Sequence, residues 1–337
     1  MGKHWRAAAA ACVTLGILAI PPARADVAEF YKGNTVRVVV GASVGGGFDA
    51  FARMVAKHLA ANVPGSPTVV VQNRPGAGSL TALRSLDTNA KDGTTIVMFN
   101  SAHILISLLE PEKEKINFAQ VAFLGSAAAD ARACYARASL GINTFQDLLK
   151  RQKPFATGAT GRGSSSYTDF AILKNMFGVK ANQILGYPGA SEQRLAVERG
   201  ELDGECGSWE SVPREWIAGN KINVFLRVSR ATAPDMPKVP HISDFANSEE
   251  TRILDLLLIG HDMFRPFIMA KEVPADRIKA MREAFWAAVS SKAFLDEAER
   301  TGRGVVGPLR GEEVEKVVAG IYKTPTDLIA KASAAIQ

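Results

Sequence analysis

Short apolar runs alternate along the chain with segments of helical periodicity. Thr35–Val40 is a β-branched run that stops at Gly41, and Asp49–Ala61 repeats apolar residues three and four positions apart, so a strand, a turn and a helix are predicted in that order. The same patterns predict further strands at Thr68–Val71, Thr94–Phe99, Phe155–Thr157, Gln183–Gly186, Leu202–Cys206, Ile222–Val228 and Phe267–Ala270. They predict further helices at Leu80–Leu86, Phe145–Arg151, Tyr167–Phe177, Glu192–Arg199, Ala275–Ser290, Ala293–Thr301 and Gly311–Ile321. Strands that alternate with helices over this length imply an α/β fold of parallel β-α-β units with helices on both faces.

The N-terminal segment has the features of an export signal. A basic start is followed by an apolar run over residues 7–20, which is too short to span a bilayer comfortably. The small-x-small pattern at residues 23–25 then predicts that residues 1–25 are a signal peptide, cleaved between Ala25 and Asp26. We therefore expect an exported protein, and a buried N-terminal helix is the alternative interpretation.

The charge balance argues against nucleic acid as a partner. Removal of the leader would take away Lys3, Arg6 and Arg24, so Lys plus Arg would fall from 40 to 37 against 34 Asp plus Glu. The small positive excess is not gathered into the Lys/Arg stripe that is typical of a nucleic-acid-binding surface. The roughly 300 remaining residues are enough for two domains of ordinary size.

Two cysteines would remain in the mature chain, Cys134 and Cys206. Disulfides persist outside the cytoplasm, so we predict that these two residues form one bridge. Two separate buried thiols are the alternative, because the sequence alone cannot show that the two Cα atoms come within bonding range.

Three loops rich in Gly or Ser follow predicted strands and open predicted helices. They cover residues 41–49 (GASVGGGFD), 76–79 (GAGS) and 158–166 (GATGRGSSS). In open α/β sheets, ligands bind outside the carboxyl ends of the strands, where helix N-termini present unpaired N–H groups and a partial positive charge. Glycine lets the backbone itself approach an anion. The sequence thus predicts an anion site that is shared by loops from both halves of the chain.

The same loops do not fit nucleotide binding or catalysis. The 41–49 loop lacks both the Lys-Ser/Thr ending of a P-loop and the glycine spacing of a dinucleotide-binding turn. Residues 41–45 (GASVG) have the letters G-x-S-x-G, but no base partner for a nucleophile is evident, and the histidines beyond the leader (His58, His103, His241 and His261) are isolated, without metal-ligand spacing. We therefore expect no catalytic residue, no cofactor and no metal, although His103 could line a cleft just past the third predicted strand.

Several motifs together carry a resemblance to one family. They are GASVGGGFDAFAR after the first predicted strand, VVVQNRPGAGSL with the second, AKDGTTIVMFN with the third, GATGRGSSSY, and YPGASEQRLAVERGELDGECGSW. Over essentially all of its mature length the chain resembles the periplasmic solute receptors of tripartite tricarboxylate transporters, often called the Bug family. It departs from the commoner pattern in having Val40-Gly41-Ala42 where a Pro usually precedes the first loop, in Arg162, and in the cysteine pair.

The resemblance implies a type II periplasmic-binding-protein fold, in which two α/β lobes joined by two crossings close on the ligand. We expect lobe I to comprise residues 26–128 and 235–337, and lobe II residues 129–234. In the family, a ligand carboxylate is held largely by backbone N–H groups, hydroxyls and ordered waters. Carried onto this sequence, the resemblance puts first-lobe ligand contacts at Ala42, Ser43, Gly46, Gly47, Phe48 and Ser79. It puts second-lobe contacts at Thr157, Gly158, Ser164, Ser165, Ser166, Gly189, Ala190 and Asp203.

Charged side chains near these loops are candidates for binding a second charge on the ligand. A guanidinium can pair bidentately with a carboxylate, so Arg162 is counted among the ligand-binding residues, and Arg194 and Arg132 are further candidates. Solvated arginines are the alternative, because long charged side chains are mostly exposed. Asp203 is expected to hydrogen-bond the distal end of the ligand, and its alternative is a solvated acid at a strand end.

The resemblance implies a receptor and not an enzyme. Such a protein captures a small organic carboxylate in the periplasm and delivers it to the membrane permease subunits of a tripartite tricarboxylate-type transporter. We expect a monomer whose lobes close by a hinge motion. Two other functions remain open: a periplasmic enzyme that acts on a small anion, which would need a nucleophile with an aligned base, and a ligand-sensing subunit of a signalling system.

Overall fold

The computed structural model describes residues 23–89 and 91–337. Residues 1–22 of the predicted leader lie outside the described part, and cleavage between Ala25 and Asp26 remains a prediction. The strands are β1 (Thr35–Val40), β2 (Thr68–Asn73), β3 (Thr95–Met98), β4 (Val121–Ser126), β5 (Arg132–Arg137), β6 (Phe155–Ala159), β7 (Ala181–Leu185), β8 (Gly204–Ser208), β9 (Ile222–Arg227), β10 (Pro266–Ala270) and β11 (Leu309–Arg310). The α-helices are α1 (Ala23–Tyr31), α2 (Gly47–Ala60), α3 (Leu80–Leu83), α4 (Ser85–Thr88), α5 (Ala102–Leu109), α6 (Pro111–Glu114), α7 (Phe145–Lys150), α8 (Ser165–Phe177), α9 (Ala190–Glu198), α10 (Arg214–Ala218), α11 (Ser248–Leu257), α12 (Ala275–Val289), α13 (Lys292–Arg300), α14 (Gly311–Ile321) and α15 (Thr326–Ile336).

The first sheet has six strands in the order β11-β4-β10-β3-β1-β2. β1 pairs in parallel with β2 and β3, whereas β10 runs antiparallel to both β3 and β4. Val36 and Val38 of β1 belong to the core on one face of this sheet, and Val39 belongs to the core on the other face. A strand that is buried on both faces needs a continuous apolar run, which is why this strand is recognisable in the sequence.

Helices cover both faces of the first sheet, as the alternation of elements predicts. Phe51 and Leu59 of α2 pack on one face together with Phe285 of α12. Leu83 of α3 and Val314 of α14 pack on the opposite face. The sheet is therefore the middle layer of three, and ligands can reach it only at the ends of its strands.

The second sheet has five strands in the order β7-β6-β8-β5-β9. β6 is parallel to β7 and β8, and β5 is antiparallel to β8 and β9. Phe170 of α8 packs on one face of the sheet, and Trp209 and Trp216 pack on the other. The antiparallel strand β5 makes this sheet mixed, although its β6-α8-β7 unit follows the predicted parallel pattern.

The chain crosses from the first sheet to the second between Ser126 and Arg132, and it returns between Arg227 and Pro266. The C-terminal helix α15 nevertheless packs on α8, where Asn175 Nδ2 donates a hydrogen bond of 3.1 Å to the carbonyl of Ala335. Residues of the segment assigned to lobe I thus complete the core of the second sheet, and the lobe boundaries at 128/129 and 234/235 remain a prediction. Within the described part, no helix combines the length and the apolar character that crossing a membrane requires.

Candidate ligand-binding cleft

A cavity of about 80 Å³ lies where the two sheets face each other. From the first-sheet side it is lined by Gly41, Ala42, Gly47, Phe48, Gly78, Ser79, Asn100 and Phe264. From the second-sheet side it is lined by Arg132, Thr160, Ser164, Ser165, Ser166, Gly189, Ala190, Gln193, Arg194, Glu205, Cys206, Gly207, Ser208 and Ser211. Gly41 and Ala42 follow β1, Asn100 lies just after β3, Thr160 follows β6 and Ser208 ends β8, so the cavity lies at the carboxyl ends of strands from both sheets.

The 41–49 loop keeps the N-terminus of α2 open toward the cavity. Gly45 adopts a positive φ of 86°, and its N–H donates a hydrogen bond of 2.9 Å to Asp49 Oδ2. Burial alone would raise the pKa of Asp49, but hydrogen bonds from Arg53, Gly45 and Asn73 bring that pKa below its ordinary value. No side chain caps α2 at Gly46. The first N–H groups of this helix are therefore available to an anion.

The 76–79 loop is hydrogen-bonded to the loops that follow β1 and β3. Ser79 Oγ donates to the Gly41 carbonyl at 2.9 Å and accepts from the Asn100 N–H at 3.2 Å. A Cβ on Gly41 would lie 2.4 Å from the Ser79 Cβ, so glycine is required at this close approach. The Ser79 hydroxyl therefore positions the loops that line the cavity.

The serine-rich loop after β6 positions the N-terminus of α8. Ser164 is the N-cap, and its hydroxyl accepts from the Tyr167 N–H and donates to the Gly161 carbonyl at 2.7 Å. Ser165 Oγ donates a hydrogen bond of 2.9 Å to Asn100 Oδ1, which joins the two sides of the cleft. The backbone N–H groups at the start of α8 remain for a ligand.

Helix α9 also begins at the cavity. Its N-cap, Gly189, makes no side-chain capping bond. Ser43 Oγ from the opposite side of the cleft donates to Glu192 Oε2 at 3.0 Å, so the first turn of α9 closes against the 41–49 loop. Three helix N-termini from two sheets thus converge on one small cavity, and their partial positive charges add there.

Arg132 lines the cavity, but its charge is balanced within the protein. Its guanidinium donates to Asp130 at 2.9 Å and to Asp169 at 2.6 Å, and all three side chains are almost fully buried. His261 Nε2 lies 3.0 Å from the other oxygen of Asp169. Arg132 is therefore part of a buried ionic network and is not the source of a net charge for the ligand.

Glu205 is a buried acid in the cavity wall that the sequence did not indicate. Tyr135 donates a hydrogen bond of 2.7 Å to Glu205 Oε1. Burial raises the pKa of Glu205 above its ordinary value, while the charge of Arg194 acts in the opposite direction. The predicted disulfide between Cys134 and Cys206 is confirmed, and it joins β5 to β8 directly beside this wall.

Nine of the predicted ligand-binding residues line the cavity: Ala42, Gly47, Phe48, Ser79, Ser164, Ser165, Ser166, Gly189 and Ala190. Ser43 and Gly46 lie beside it at the contact with α9. The ligand-binding role of all these residues stays a prediction, because the cavity shows their proximity only.

The other four predicted residues lie away from the cavity. Thr157 and Gly158 are buried within β6, and Arg162 is exposed, with its guanidinium 5.4 Å from the Tyr167 ring centre. Asp203 accepts salt bridges of 3.3 Å from both Arg137 and Arg151. Its carboxylate is therefore engaged within the protein.

Sequence reasoning missed several lining residues. Asn100 could have been predicted, because it follows the third predicted strand at its carboxyl end. Gln193 and Glu205 carried no comparable signal, because nothing in the sequence says which side of a short helix or strand faces the cleft. Arg132 and Arg194, which the sequence offered as further candidates for a second ligand charge, both line the cavity. His103 is buried, contacts Glu114 and the Gly78 carbonyl at 2.6 and 2.8 Å, and does not line the cavity.

A larger open groove of about 960 Å³ lies on the outer side of the first sheet. It is lined by parts of α12 and α14, including Arg282, Glu283, Glu315 and Val318. Its walls mix both signs of charge, and all of its lining residues belong to the first-sheet side, so no loop of the second sheet reaches it. The smaller cavity between the sheets is therefore the candidate site. The described residues contain no cluster of His, Cys, Asp and Glu suited to a metal ion.

Two sheets with a cleft between their strand ends define the class of two-lobed periplasmic binding proteins. The structure of the periplasmic binding protein BugD matches with a TM-score of 0.74 and 18% identity, covering 90% of this chain and 99% of BugD. MatC from Rhodopseudomonas palustris with bound malate matches with a TM-score of 0.72 and 18% identity, covering 88% and 99%. A further R. palustris protein, with adipate, matches with a TM-score of 0.69 and 17% identity, covering 89% and 97%. These likenesses confirm the predicted fold.

The family follows from the sequence itself. The model of the tripartite tricarboxylate transporter family receptor, TctC, matches residues 51–294. The chain belongs to this family, and the resemblance drawn from its loop motifs is confirmed. The family and the structural neighbours are solute-binding receptors of the periplasm and not enzymes, so the enzyme alternative is not supported.

Proposed function

We propose that this chain is exported to the periplasm, captures a small organic carboxylate between its two lobes and delivers it, as a monomer, to the membrane permease subunits of a tripartite tricarboxylate-type transporter. The proposed lobes are residues 26–128 with 235–337, and residues 129–234. Family membership supports the role as a receptor, and malate and adipate in two structural neighbours support a carboxylate as the ligand.

One observation carries the proposal: α2, α8 and α9 all begin at the same cavity, and α2 and α9 have no side-chain cap. An anion at a single helix N-terminus gains roughly 0.3–1 kcal/mol at an exposed site and about 2 kcal/mol where it is partly buried. The cavity lies between two lobes, where the effective dielectric constant is lower than in bulk water, so we expect a gain at the upper end of this range. The ligand contacts that we propose are the backbone groups of Gly47, Phe48, Ser165, Ser166 and Ala190.

Calorimetric titration of the mature chain, residues 26–337, tests the proposal. The panel contains short mono- and dicarboxylic acids, each paired with its uncharged amide, which keeps the shape and removes the charge. We expect at least one acid to bind, and its amide to bind about 10- to 100-fold more weakly, because a hydrogen bond to a charged group contributes about 1.5–3 kcal/mol. Equal affinity for acid and amide, or no binding across the panel, would contradict the proposal.

A further inference from the structure

One side of α9 forms part of the cavity wall and carries groups that the helix N-termini do not use. Ala190, Gln193 and Arg194 all line the cavity, and their spacing of three and four residues puts them on the same face of the helix. The chemistry of Gln193 and Arg194 therefore bears on the part of the ligand that lies away from the first carboxylate.

Arg194 brings a positive charge that no described side chain balances by direct contact. It makes no salt bridge and no hydrogen bond within the described residues, whereas Arg132 on the same cavity is held by two carboxylates. Among the described lining residues the one acid is Glu205, which accepts a hydrogen bond from Tyr135 and attracts Arg194 without contacting it directly. A guanidinium in the wall of this cavity is suited to a carboxylate, which it can bind through two parallel hydrogen bonds.

Gln193 offers an unused hydrogen-bond acceptor beside that charge. Its side chain is 2% exposed, and its Nε2 donates to the Gly189 carbonyl at 3.3 Å. Its Oε1 is buried and has no partner among the described residues. A buried acceptor left unpaired costs free energy, so a ligand that donates a hydrogen bond to it is favoured over one that does not.

The volume of the cavity limits the size of the ligand. A water molecule needs roughly 10–15 Å³ measured in the same way, so about 80 Å³ holds on the order of five to eight water-sized groups. This room suits a short acid and not a long-chain or multi-ring acid.

We infer that Gln193 and Arg194 form a specificity subsite that selects a short dicarboxylate bearing a hydrogen-bond donor, a hydroxyl or an ammonium group, next to its second carboxylate. This inference rests on the proposed function, because it assumes that the helix N-termini hold the first carboxylate. Arg194 binds the second carboxylate, and Gln193 Oε1 accepts from the donor group.

Four acids of similar length distinguish the contribution of the second carboxylate, at Arg194, from that of the donor group, at Gln193. Malate has the second carboxylate and the hydroxyl, succinate has only the second carboxylate, 2-hydroxybutyrate has only the hydroxyl, and butyrate has neither. Aspartate replaces the hydroxyl by an ammonium group and so distinguishes the two kinds of donor. We expect the wild-type chain to bind malate or aspartate about tenfold more tightly than succinate, and succinate at least about tenfold more tightly than butyrate.

Two substitutions assign these preferences to residues. Arg194→Met should lower the affinity for malate and for succinate by at least about tenfold, because only the dicarboxylates contact the guanidinium. The affinity for butyrate should stay within about twofold of the wild-type value. Gln193→Met should weaken the donor-bearing diacids and leave succinate unchanged. Arg194→Lys should give an intermediate loss, since it keeps the charge but not the paired geometry. Arg199→Met, at the exposed far end of α9, is the matched control and should change nothing.

The outcomes separate this inference from the proposed function. If no acid binds to the wild-type chain, the proposed function fails together with the inference. If acids bind but mono- and dicarboxylates bind equally, or if Arg194→Met weakens all four acids alike, the proposed function stands and the subsite does not exist. Thermal melting of each variant shows whether it is folded, and the Arg194→Lys comparison remains decisive if Arg194→Met does not fold.

Discussion

Buried charged side chains are concentrated where the chain crosses between the two sheets. Asp130 and Arg132 lie at the first crossing, and His261 and Arg265 lie at the end of the second, just before β10. Asp169 from α8 contacts both Arg132 and His261, and burial, which alone would raise its pKa, is outweighed by these two partners, so that the pKa is below its ordinary value. The network therefore links the crossings to the lobe that carries α8.

Removing one member of this network should destabilise the fold strongly. Arg132→Met leaves Asp130 and Asp169 buried without their shared partner, and breaking such a pair costs about 3–5 kcal/mol. Urea denaturation measures the change in the free energy of unfolding. The control is Lys292→Met, which removes an exposed salt bridge to Asp296 and should have little effect. Similar losses of unfolding free energy in the two variants would show that the buried network contributes no more to stability than an exposed salt bridge.

Glu210 should make the stability of the protein depend on pH. It pairs with Arg265, and burial raises its pKa from 4.5 to about 7 in the folded chain despite that partner. The folded state thus holds a proton that the unfolded state releases, so the stability contribution is full below pH 4.5 and is lost as the pH rises toward 7. The expected result is a melting temperature that declines over this range and declines less in Glu210→Gln.

The decisive comparison is the difference between the two dependences of the melting temperature on pH, because groups far from Glu210 titrate equally in both proteins. Parallel dependences of the melting temperature on pH for the wild-type chain and Glu210→Gln would show that Glu210 does not titrate in this range.

At the residue level, the Gly- and Ser-rich loops could be found in the sequence because their chemistry is local. Strand ends, glycine and helix starts follow one another along the chain, and Gly47, Ser165 and Ala190 indeed line the cavity. Arg162 and Asp203 had the right chemistry, but they do not line it. Arg162 lies at an exposed loop position, and Asp203 is held by salt bridges to arginines far away in the chain. Neither feature can be read from the local sequence.

At the level of elements, the disulfide joins two neighbouring strands of the second sheet. Cys134 of β5 lies directly opposite Cys206 of β8, and 72 residues separate them along the chain. The bridge closes a long loop around β6, α8, β7 and α9, and it therefore restricts the unfolded chain considerably. The same two strands carry Arg132, Tyr135 and Glu205, so the bridge also braces one wall of the cavity.

Loss of the disulfide should lower stability by about 2–4 kcal/mol, the usual range for a bridge that closes a long loop. Cys134→Ala with Cys206→Ala, compared with the wild-type chain in urea, measures this change. A reductant should destabilise the wild-type chain and leave the double variant unaffected. An unchanged denaturation midpoint after complete reduction of the wild-type chain, checked by thiol titration, would contradict the stabilising role.

Two of the strands that the sequence missed, β4 and β5, share a physical cause. Each has six residues, as β1 has, but neither contains the run of β-branched residues that makes β1 recognisable. β5 also begins and ends with arginine, and its first arginine is tolerated only because Asp130 and Asp169 lie beside it. Pairing partners, and not local composition, make these segments strands.

At the scale of the whole molecule, the two sides of the cleft meet through glycine. A Cβ on Gly163 would lie 1.9 Å from the His103 ring, and a Cβ on Gly161 would lie 2.7 Å from the Ala77 carbonyl carbon. A Cβ on Gly189 would lie 2.1 Å from Ser43 Oγ. The lobes can approach this closely only where a side chain is absent, so these glycines determine how far the cleft can close.

Gly163→Ala should therefore hold the cleft open. Its methyl group collides with a histidine that is fixed by Glu114 and Gly78, so we expect ligand affinity to fall by about tenfold or more while the lobes stay folded. Titration gives the affinity, and small-angle scattering shows whether saturating ligand still shrinks the radius of gyration. Gly320→Ala, where no atom lies within 4 Å of the added Cβ, is the control. Wild-type affinity and compaction in Gly163→Ala would contradict this account of closure.

The sequence by itself determined the α/β alternation, the positions of the three Gly- and Ser-rich loops after strands, and the family. Each of these depends on residues that are close in the chain or on a motif that keeps its order. Only the tertiary structure decided that Gln193, Arg194 and Glu205 line the cavity and that α15 packs on α8. These contacts join segments that are far apart in the chain. They therefore depend on which surfaces are buried and which charges are paired in the folded molecule.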